Sequence, residues 1–519
     1  MTAAAVRGCS CFKQTNDAGV NEMKRLKTAG LMLLIFTMLL TACSGGDNET
    51  EAGEGGTTAA PVELTMAFFT FGSTPADLTA VQDAINKIAS EKINAKVRLL
   101  PISYGAWNQQ MNLMLTANEK LDLLVTGSSP TFGYSSQVAK GHLLALDELV
   151  DKYGQEIAAA MDPAFLRAGQ INGKIYGIPS LRDMASNNGV LFRKDLLDKH
   201  GLKAEEIKSI DDLEKALQTL RENEPGLTLA TANGSIVDHL VNIDNLGDSF
   251  GVLMNGGAEL KVVNWFETPE YAELLKRVRG WYEKGYILKD LATNKEATHD
   301  LVKGKRSFGF MNYLKPGIDP QESRFAGIPM VSASLTEPLS TTSKVTNIMW
   351  GIPRNSKYPE KAMQFLNLMY SDKEIINLFD WGIEGKHYVK TGTENVIKFP
   401  DGVDASNSGY NLNQGWLFGN QYLSYVFEGD DPEIYIKTKE FSNSAIKSKA
   451  LGFTFDSTPV KTEIAALTNV LDQFKPGLEN GALDPEKNLP EFIAKLRAAG
   501  IEKVIAEKQN QLDAWAAQQ

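Results

Sequence analysis

From Val62 onward the spacing of hydrophobic and polar positions changes period repeatedly, and each change marks an element. "VELTMAFFTF" alternates and is rich in β-formers, so it reads as a strand. In "STPADLTAVQDAINKIASEKI" the residues Leu78, Val81, Ile85 and Ile88 recur at helical spacing, with Thr74 the expected N-cap and Pro75 the first helical residue. "AKVRLLPI" is a second strand, "YGAWNQQMNLMLTAN" a second helix and "LDLLVTG" a short apolar strand. This alternation predicts an α/β fold, a parallel sheet with helices on both faces. A second unit begins near Gly189, where "GVLFRKDLL" turns from strand to helix ahead of the amphipathic "IDDLEKALQTLREN". Thr268-Pro269 opens another helix, with Tyr271, Leu274, Leu275, Val278 and Trp281 on one face. Strand character returns in 306–311 and in "NIMWGIP", and "YPEKAMQFLNLMYSDKEIINLFDWG" is expected to form one helix. Two helices, 459–474 and 490–518, are expected to close the chain, and no repeat of fixed period is visible.

Ahead of this region the pattern is different in kind. Lys24, Arg25 and Lys27 precede an apolar run from Leu31 to Leu40, shorter than the roughly 20 residues a membrane-spanning helix needs. It reads as a secretory signal peptide, residues 23–42. Leu40-Thr41-Ala42-Cys43 resembles a bacterial lipobox, which implies cleavage before Cys43 and a lipid on its sulfur. The competing readings are an ordinary signal with a chance cysteine and an uncleaved anchor helix. Residues 1–22 are polar and of mixed charge, and are expected to be a start-site artefact with translation beginning at Met23. Residues 43–61, rich in Gly, Thr and acid, bury too little apolar surface to fold and read as a flexible tether. A lipid plus a tether describes a globular protein anchored at the extracellular face of the cell membrane. Cys9 and Cys11 fall in the leading extension, leaving the mature chain without a disulfide and without a zinc site.

Charge narrows the partners. The whole chain carries 53 Lys+Arg against 64 Asp+Glu, and without residues 1–42 the balance is 48 against 62. So acidic a protein does not suit nucleic acid, whose phosphates need a basic face. Catalytic motifs are scarce. No Gly-Lys pair is followed by Ser or Thr in a phosphate loop, and no H-E-x-x-H occurs among the five histidines. Gly247-Asp248-Ser249-Phe250-Gly251 matches a nucleophile elbow in letters, but "VNIDNL" before it is a poor strand and "VLMNGG" after it a poor helix. A turn is the better reading. Neither a metal nor a cofactor is called for; the acidic "DGVDASNSG" lacks a calcium-loop pattern and reads as a solvated loop.

Aromatic residues are placed more suggestively. Phe69 and Phe71 end the first strand, Tyr104 and Trp107 follow the second, Trp350 ends a later strand and Trp381 a helix. In open α/β sheets ligands gather outside the carboxyl ends of strands, where aromatic faces can stack on the C–H faces of sugar rings. Each of these residues can equally be a core anchor. At this point the chain, from Val62 to Gln519, resembles the extracellular solute-binding lipoproteins of carbohydrate ABC importers, distantly like maltose-binding protein. "INGKIYGIPSLRDMASNNGVLFRKDLLDKHG", "GKRSFGFM" and "WGIPRNSKYPEKAMQFLNLMYSD" carry the resemblance, and "GFTFDSTPVKTEIAALTNVLDQF" resembles a branch with a C-terminal domain of unknown function.

The resemblance implies a two-lobe, type II periplasmic-binding-protein-like fold with a cleft between lobes and a helical C-terminal region. It places 62–182 and 352–390 in the first lobe and 183–351 and 391–519 in the second. It implies a cleft lined by Phe71, Trp107, Arg182, Tyr313, Trp350, Trp381 and Glu384, with Trp416 from the second lobe, and Asn347 beside Arg182 and Glu384 for sugar hydroxyls. Arg182 and Asp183 can alternatively form a hinge ion pair, and Glu384 with Lys386 can instead fix the "GIEGKHY" turn. The expected function is capture of a carbohydrate, an oligosaccharide, by a monomer that hands it to ABC importer permease subunits, with no catalysis. A lipid-anchored glycoside hydrolase and a receptor of the same fold for a non-sugar solute are the alternatives.

Overall fold

The computed structural model describes residues 60–519 apart from Pro130 and Asn233. The signal peptide, Cys43 and nearly all of the tether lie outside the described residues. The first lobe is built on a five-stranded sheet in the spatial order Ala95–Ser103, Val62–Thr70, Leu123–Thr126, Met349–Gly351, Ile178–Pro179. The three strands that come first in the chain are parallel, as the alternating pattern predicts. Met349–Gly351 runs antiparallel to both neighbours because it re-enters this sheet from the other lobe. Seven consecutive residues of Val62–Thr70 are buried, as befits a strand covered on both faces.

The second lobe holds a four-stranded sheet ordered Met330–Ser334, Asn187–Arg193, Ser307–Leu314, Thr228–Thr231. Only the last pair is parallel. Helices Ile210–Asn223 and Pro269–Glu283 cover it, each opened by a side-chain cap: Ser209 accepts from the Asp212 amide at 3.1 Å and Thr268 from that of Tyr271 at 3.2 Å. Each lobe has its own large core.

Several elements depart from the expected boundaries, each for a local reason. The first helix starts at Leu78 rather than Pro75, and Asp77 at its N-cap makes no cap bond. The Asp77 carboxylate is taken by Lys386 at 2.8 Å and His387 at 3.0 Å. The long helix expected from Tyr358 is two, Pro359–Ser371 and Lys373–Asp380. Asp372 leaves the helical region and caps the second through the amides of Glu374 and Ile375. Three helices, not two, form the C-terminal region: Lys461–Glu479, Pro485–Ala498 and Ile501–Ala516. Gly500, at φ 95°, supplies the left-handed turn before the third.

The assignment of everything after residue 391 to the second lobe needs correction. Tyr410, Leu417 and Phe418 belong to the first-lobe core. Phe418 stacks on Phe379 with ring centroids 4.4 Å apart, a contact between residues about forty apart that no periodicity announces.

Candidate functional site

At the carboxyl ends of the parallel strands Val62–Thr70 and Ala95–Ser103 lies an aromatic wall. Phe69 is its buried centre, stacked on Phe132 at 5.3 Å and edge-on to Trp107 at 5.8 Å. One residue beyond the strand, Phe71 projects outward, 66% exposed, with its ring 5.2 Å from Tyr104 and 6.2 Å from Trp416. Three rings therefore form one face, held from behind by three others. Phe71 and Tyr104 are exposed large apolar side chains standing together, which makes this face a candidate binding surface.

The wall continues into the lobe crossing through Arg182, whose guanidinium carbon sits 5.5 Å from the Trp416 ring centre. Its Nε donates to Asp183 at 2.6 Å. The same carboxylate accepts from Lys344 at 3.0 Å, and Lys315 stands 3.7 Å away. Burial alone would raise Asp183, but Lys344, Arg182 and Lys315 together hold it well below the usual carboxylate range. Burial pushes the Lys344 ammonium down from the ordinary lysine value, against the pull of Asp183. One carboxylate thus joins three cations from two crossings and the end of the Ser307–Leu314 strand.

Lys344 also lines a cavity of about 280 Å³ on the second-lobe side, with Tyr313, Asn347, Asn188, Asn242 and Asn245. Tyr313 is 47% exposed and rests edge-to-face on His239, ring centres 4.7 Å apart. Asn188 is pinned through its Nδ2, which donates to the Val241 carbonyl at 2.6 Å. Amides, a phenol and an ammonium make a polar chamber beside an aromatic wall. Such a pairing suits a ligand with apolar faces and a rim of hydroxyls.

Of the residues expected to line a cleft, Phe71, Arg182, Tyr313, Asn347 and Trp416 meet in this region. Trp416 comes from the first-lobe side, not the second, because it packs with the Phe69 group. Trp107 is fully buried behind the wall and supports it from the interior. Trp350 is a core anchor: it is 0% exposed, its indole N–H donates to the Leu417 carbonyl at 2.8 Å and its ring stacks on Phe418. Trp381 is 6% exposed, donates to Tyr425 O at 3.1 Å and lies on Phe427, facing a separate groove of about 770 Å³. Trp350 therefore has no free face for a sugar, and Trp381, lining that other groove, takes no part in the aromatic wall. Glu384 pairs with Lys390 at 2.7 Å and bridges to Tyr388, so it fixes the turn. His387 is packed, accepting from the Ile383 amide at 2.9 Å.

Lys344, Asn188, Asn242 and Asn245 escaped the reading of the sequence. The last two lie in "VNIDNL", which the sequence marks only as a poor strand. Tyr104, noted as an aromatic at a strand end, joins the exposed wall. Ser249 sits in a loop without strand or helix beside it, so the elbow reading fails. Among the described residues no group of three or more His, Cys, Asp or Glu side chains is arranged to hold a metal.

Comparison with known proteins gives the family. The family of bacterial extracellular solute-binding proteins matches residues 73–375, and a domain of unknown function (DUF3502) matches 449–517. A carbohydrate ABC transporter substrate-binding protein of Streptococcus pneumoniae is 30% identical over 506 residues, covering 95% of this chain and 99% of the relative. Lipoprotein LipO of Bacillus subtilis is 25% identical over 386 residues, 70% of this chain and 74% of its own. The crystal structure of the N-glycan transport solute binding protein NgtS from Streptococcus pneumoniae superposes with a TM-score of 0.77 at 29% identity, covering 88% of this chain and 99% of that one. In complex with Man1GlcNAc the same protein gives a TM-score of 0.66. These relatives and the two-lobe fold are those of substrate-binding proteins rather than enzymes. The chain belongs to the bacterial extracellular solute-binding proteins, of the maltose-binding-protein-like kind.

Proposed function

We propose that this protein is a lipid-anchored extracellular receptor that captures an oligosaccharide in its cleft and delivers it, as a monomer, to the permease subunits of an ABC importer. The carrying observation is the exposed face of Phe71, Tyr104 and Trp416 beside the amide-rich cavity of Tyr313, Asn242 and Asn347. Indole and phenyl faces cover the apolar side of a pyranose while amides take its hydroxyls, so affinity and orientation come from different groups. The glycan held by the S. pneumoniae relative supports the same ligand class. Its lower TM-score in the glycan complex, 0.66 against 0.77, supports lobes that close about crossings at 180–188, 347–353 and 387–391.

In this reading the first lobe comprises 62–182 and 349–390, the strand Met349–Gly351 correcting the expected bound at 351, together with the aromatic return around Leu417. The second takes 183–348 and the C-terminal helices. Anchoring rests on Cys43 behind its apolar run, and a relative described as a lipoprotein supports it. No helix of the described residues is long and apolar enough to cross a membrane.

The test is a panel of soluble oligosaccharides, Man1GlcNAc and Man5GlcNAc among them, assayed by thermal shift and calorimetry. A ligand specific to the native state raises the melting temperature by mass action. Reversible binding of at least one glycan without turnover is expected. Binding of none, or hydrolysis of any, overturns the proposal.

A further inference from the structure

The C-terminal region places charged side chains where a packing helix has no use for them. Its helices contribute Leu467, Phe474, Leu478, Phe492 and Val504 to the second-lobe core, which would suffice for docking. Yet Glu479 is 1% exposed and Lys508 fully buried. Burying such groups is costly unless each is paired. Their hydrogen-bond partners lie on one stretch of chain, 235–251, and on the helix beneath it.

At one end of that stretch the Glu479 carboxylate accepts from the Ser235 hydroxyl and, at 3.0 Å, from the Tyr271 hydroxyl. The next residue, Asn480, accepts from the Ile236 amide at 3.0 Å. Lys475, one helical turn before Glu479, donates to both oxygens of Asp238 at 2.9 and 3.0 Å. Asp238 in turn accepts from the Ser235 amide at 2.9 Å, closing the network. The residue that follows is His239, fully buried and in edge contact with the Tyr313 ring. At the other end Lys508 donates to Asp248 at 2.6 Å and to the Gly251 carbonyl at 3.0 Å. Between the two clamps lie Asn242 and Asn245, which line the cavity.

We infer that Glu479, Lys475 and Lys508 are positioning residues for ligand: by clamping both ends of 235–251, the C-terminal domain sets where Tyr313, Asn242 and Asn245 stand in the cleft. The inference rests on the glycan reading of that cleft. It gives the C-terminal domain a role in recognition, exerted through Ser235, Asp238, His239 and Asp248 without touching ligand. Buried charge pairs serve such a purpose well, because their geometry is exacting and a displaced partner is left desolvated.

The test uses the whole chain and two measurements. Hydrogen exchange without ligand reads the clamp itself. In Glu479→Gln and Lys508→Met, amides of 235–251 should exchange faster than in the parent, with the helix Ile210–Asn223 unchanged. Calorimetry with Man1GlcNAc and Man5GlcNAc reads the consequence. Glu479→Gln should weaken binding about tenfold, on the scale of coupling within one network, and that loss should vanish in a Tyr313→Ala background. Ser235→Ala, a milder change, should show the same coupling at smaller size. Unchanged exchange in 235–251 overturns the clamp whatever the ligand. A loss that persists in full on the Tyr313→Ala background overturns action through Tyr313. If the parent chain binds neither glycan, the recognition role falls together with the glycan reading, and the exchange arm then decides the clamp alone.

Discussion

At the residue scale, two tryptophans that look alike in sequence, each followed by glycine, do not share a role with the exposed Tyr313. Trp350→Ala removes a buried indole stacked on Phe418 and leaves the Leu417 carbonyl without its donor. It should cost about 3–5 kcal/mol of stability by urea unfolding, with glycan affinity of the folded fraction unchanged. Tyr313→Ala should do the reverse: melting within a few degrees of the parent and binding weaker by roughly 1–3 kcal/mol by calorimetry, as for an aromatic anchor at an interface. Asp380 offers a pH signature. Burial lifts its carboxyl from 3.8 to about 6, against donation from Ser424 and the Gly415 amide. The folded value lies above the unfolded one, so its contribution to stability is full below 3.8 and is lost as pH rises through about 6. Asp380→Asn should flatten the dependence of melting temperature on pH across that window; an unaltered slope would refute the assignment.

At the element scale, the close fit of two crossings matters more than any helix propensity. Gly127 ends the Leu123–Thr126 strand where a Cβ would stand 2.1 Å from the Asn347 carbonyl oxygen. The neighbouring Ser128 amide donates to the Thr346 carbonyl at 2.9 Å. Gly127→Ala must therefore push the return crossing that carries Lys344 and Asn347 into the cleft. We expect about 1–3 kcal/mol of destabilisation by chemical denaturation, together with weaker glycan binding. The helices themselves were legible from periodicity, since Thr268, Pro269 and the apolar face of Pro269–Glu283 appear where expected. Their breaks were less so. Asp372 and Gly500 interrupt otherwise continuous apolar spacing, and a cap competing with a helix is decided by which amides need partners.

At the scale of the whole molecule, a receptor of two lobes joined at a hinge should close on its ligand in proportion to its greater affinity for the closed state. Small-angle scattering at saturating glycan should show a smaller radius of gyration than the free protein. No change at saturation would count against closure. The charge cluster around Asp183 lies across the crossings, so it should persist in both states, and Asp183→Asn should weaken stability more than affinity. For the anchor, Cys43→Ala expressed in a bacterium should move from the membrane to the soluble fraction, and full retention with membranes would overturn lipidation at that residue.

Local pattern determined a good deal of this protein. Alternation and helical spacing are properties of neighbours in the chain, so they carry the α/β class, the parallel opening of the first sheet, and the placing of aromatics at the end of the first strand. The site divided differently. Phe71 stood out as an aromatic at a strand end, whereas Arg182 and Tyr313 were named only through the family resemblance. Whether an indole faces solvent or core depends on what arrives opposite it, and Phe418 arrives opposite Trp350 from 68 residues away. Only the tertiary structure decided that Lys344 joins Asp183, that Asn242 and Asn245 reach the cavity, and that Glu479 and Lys508 brace them. Those contacts join residues 161 and more than 200 positions apart, and no local period encodes a meeting between elements that the chain separates so widely.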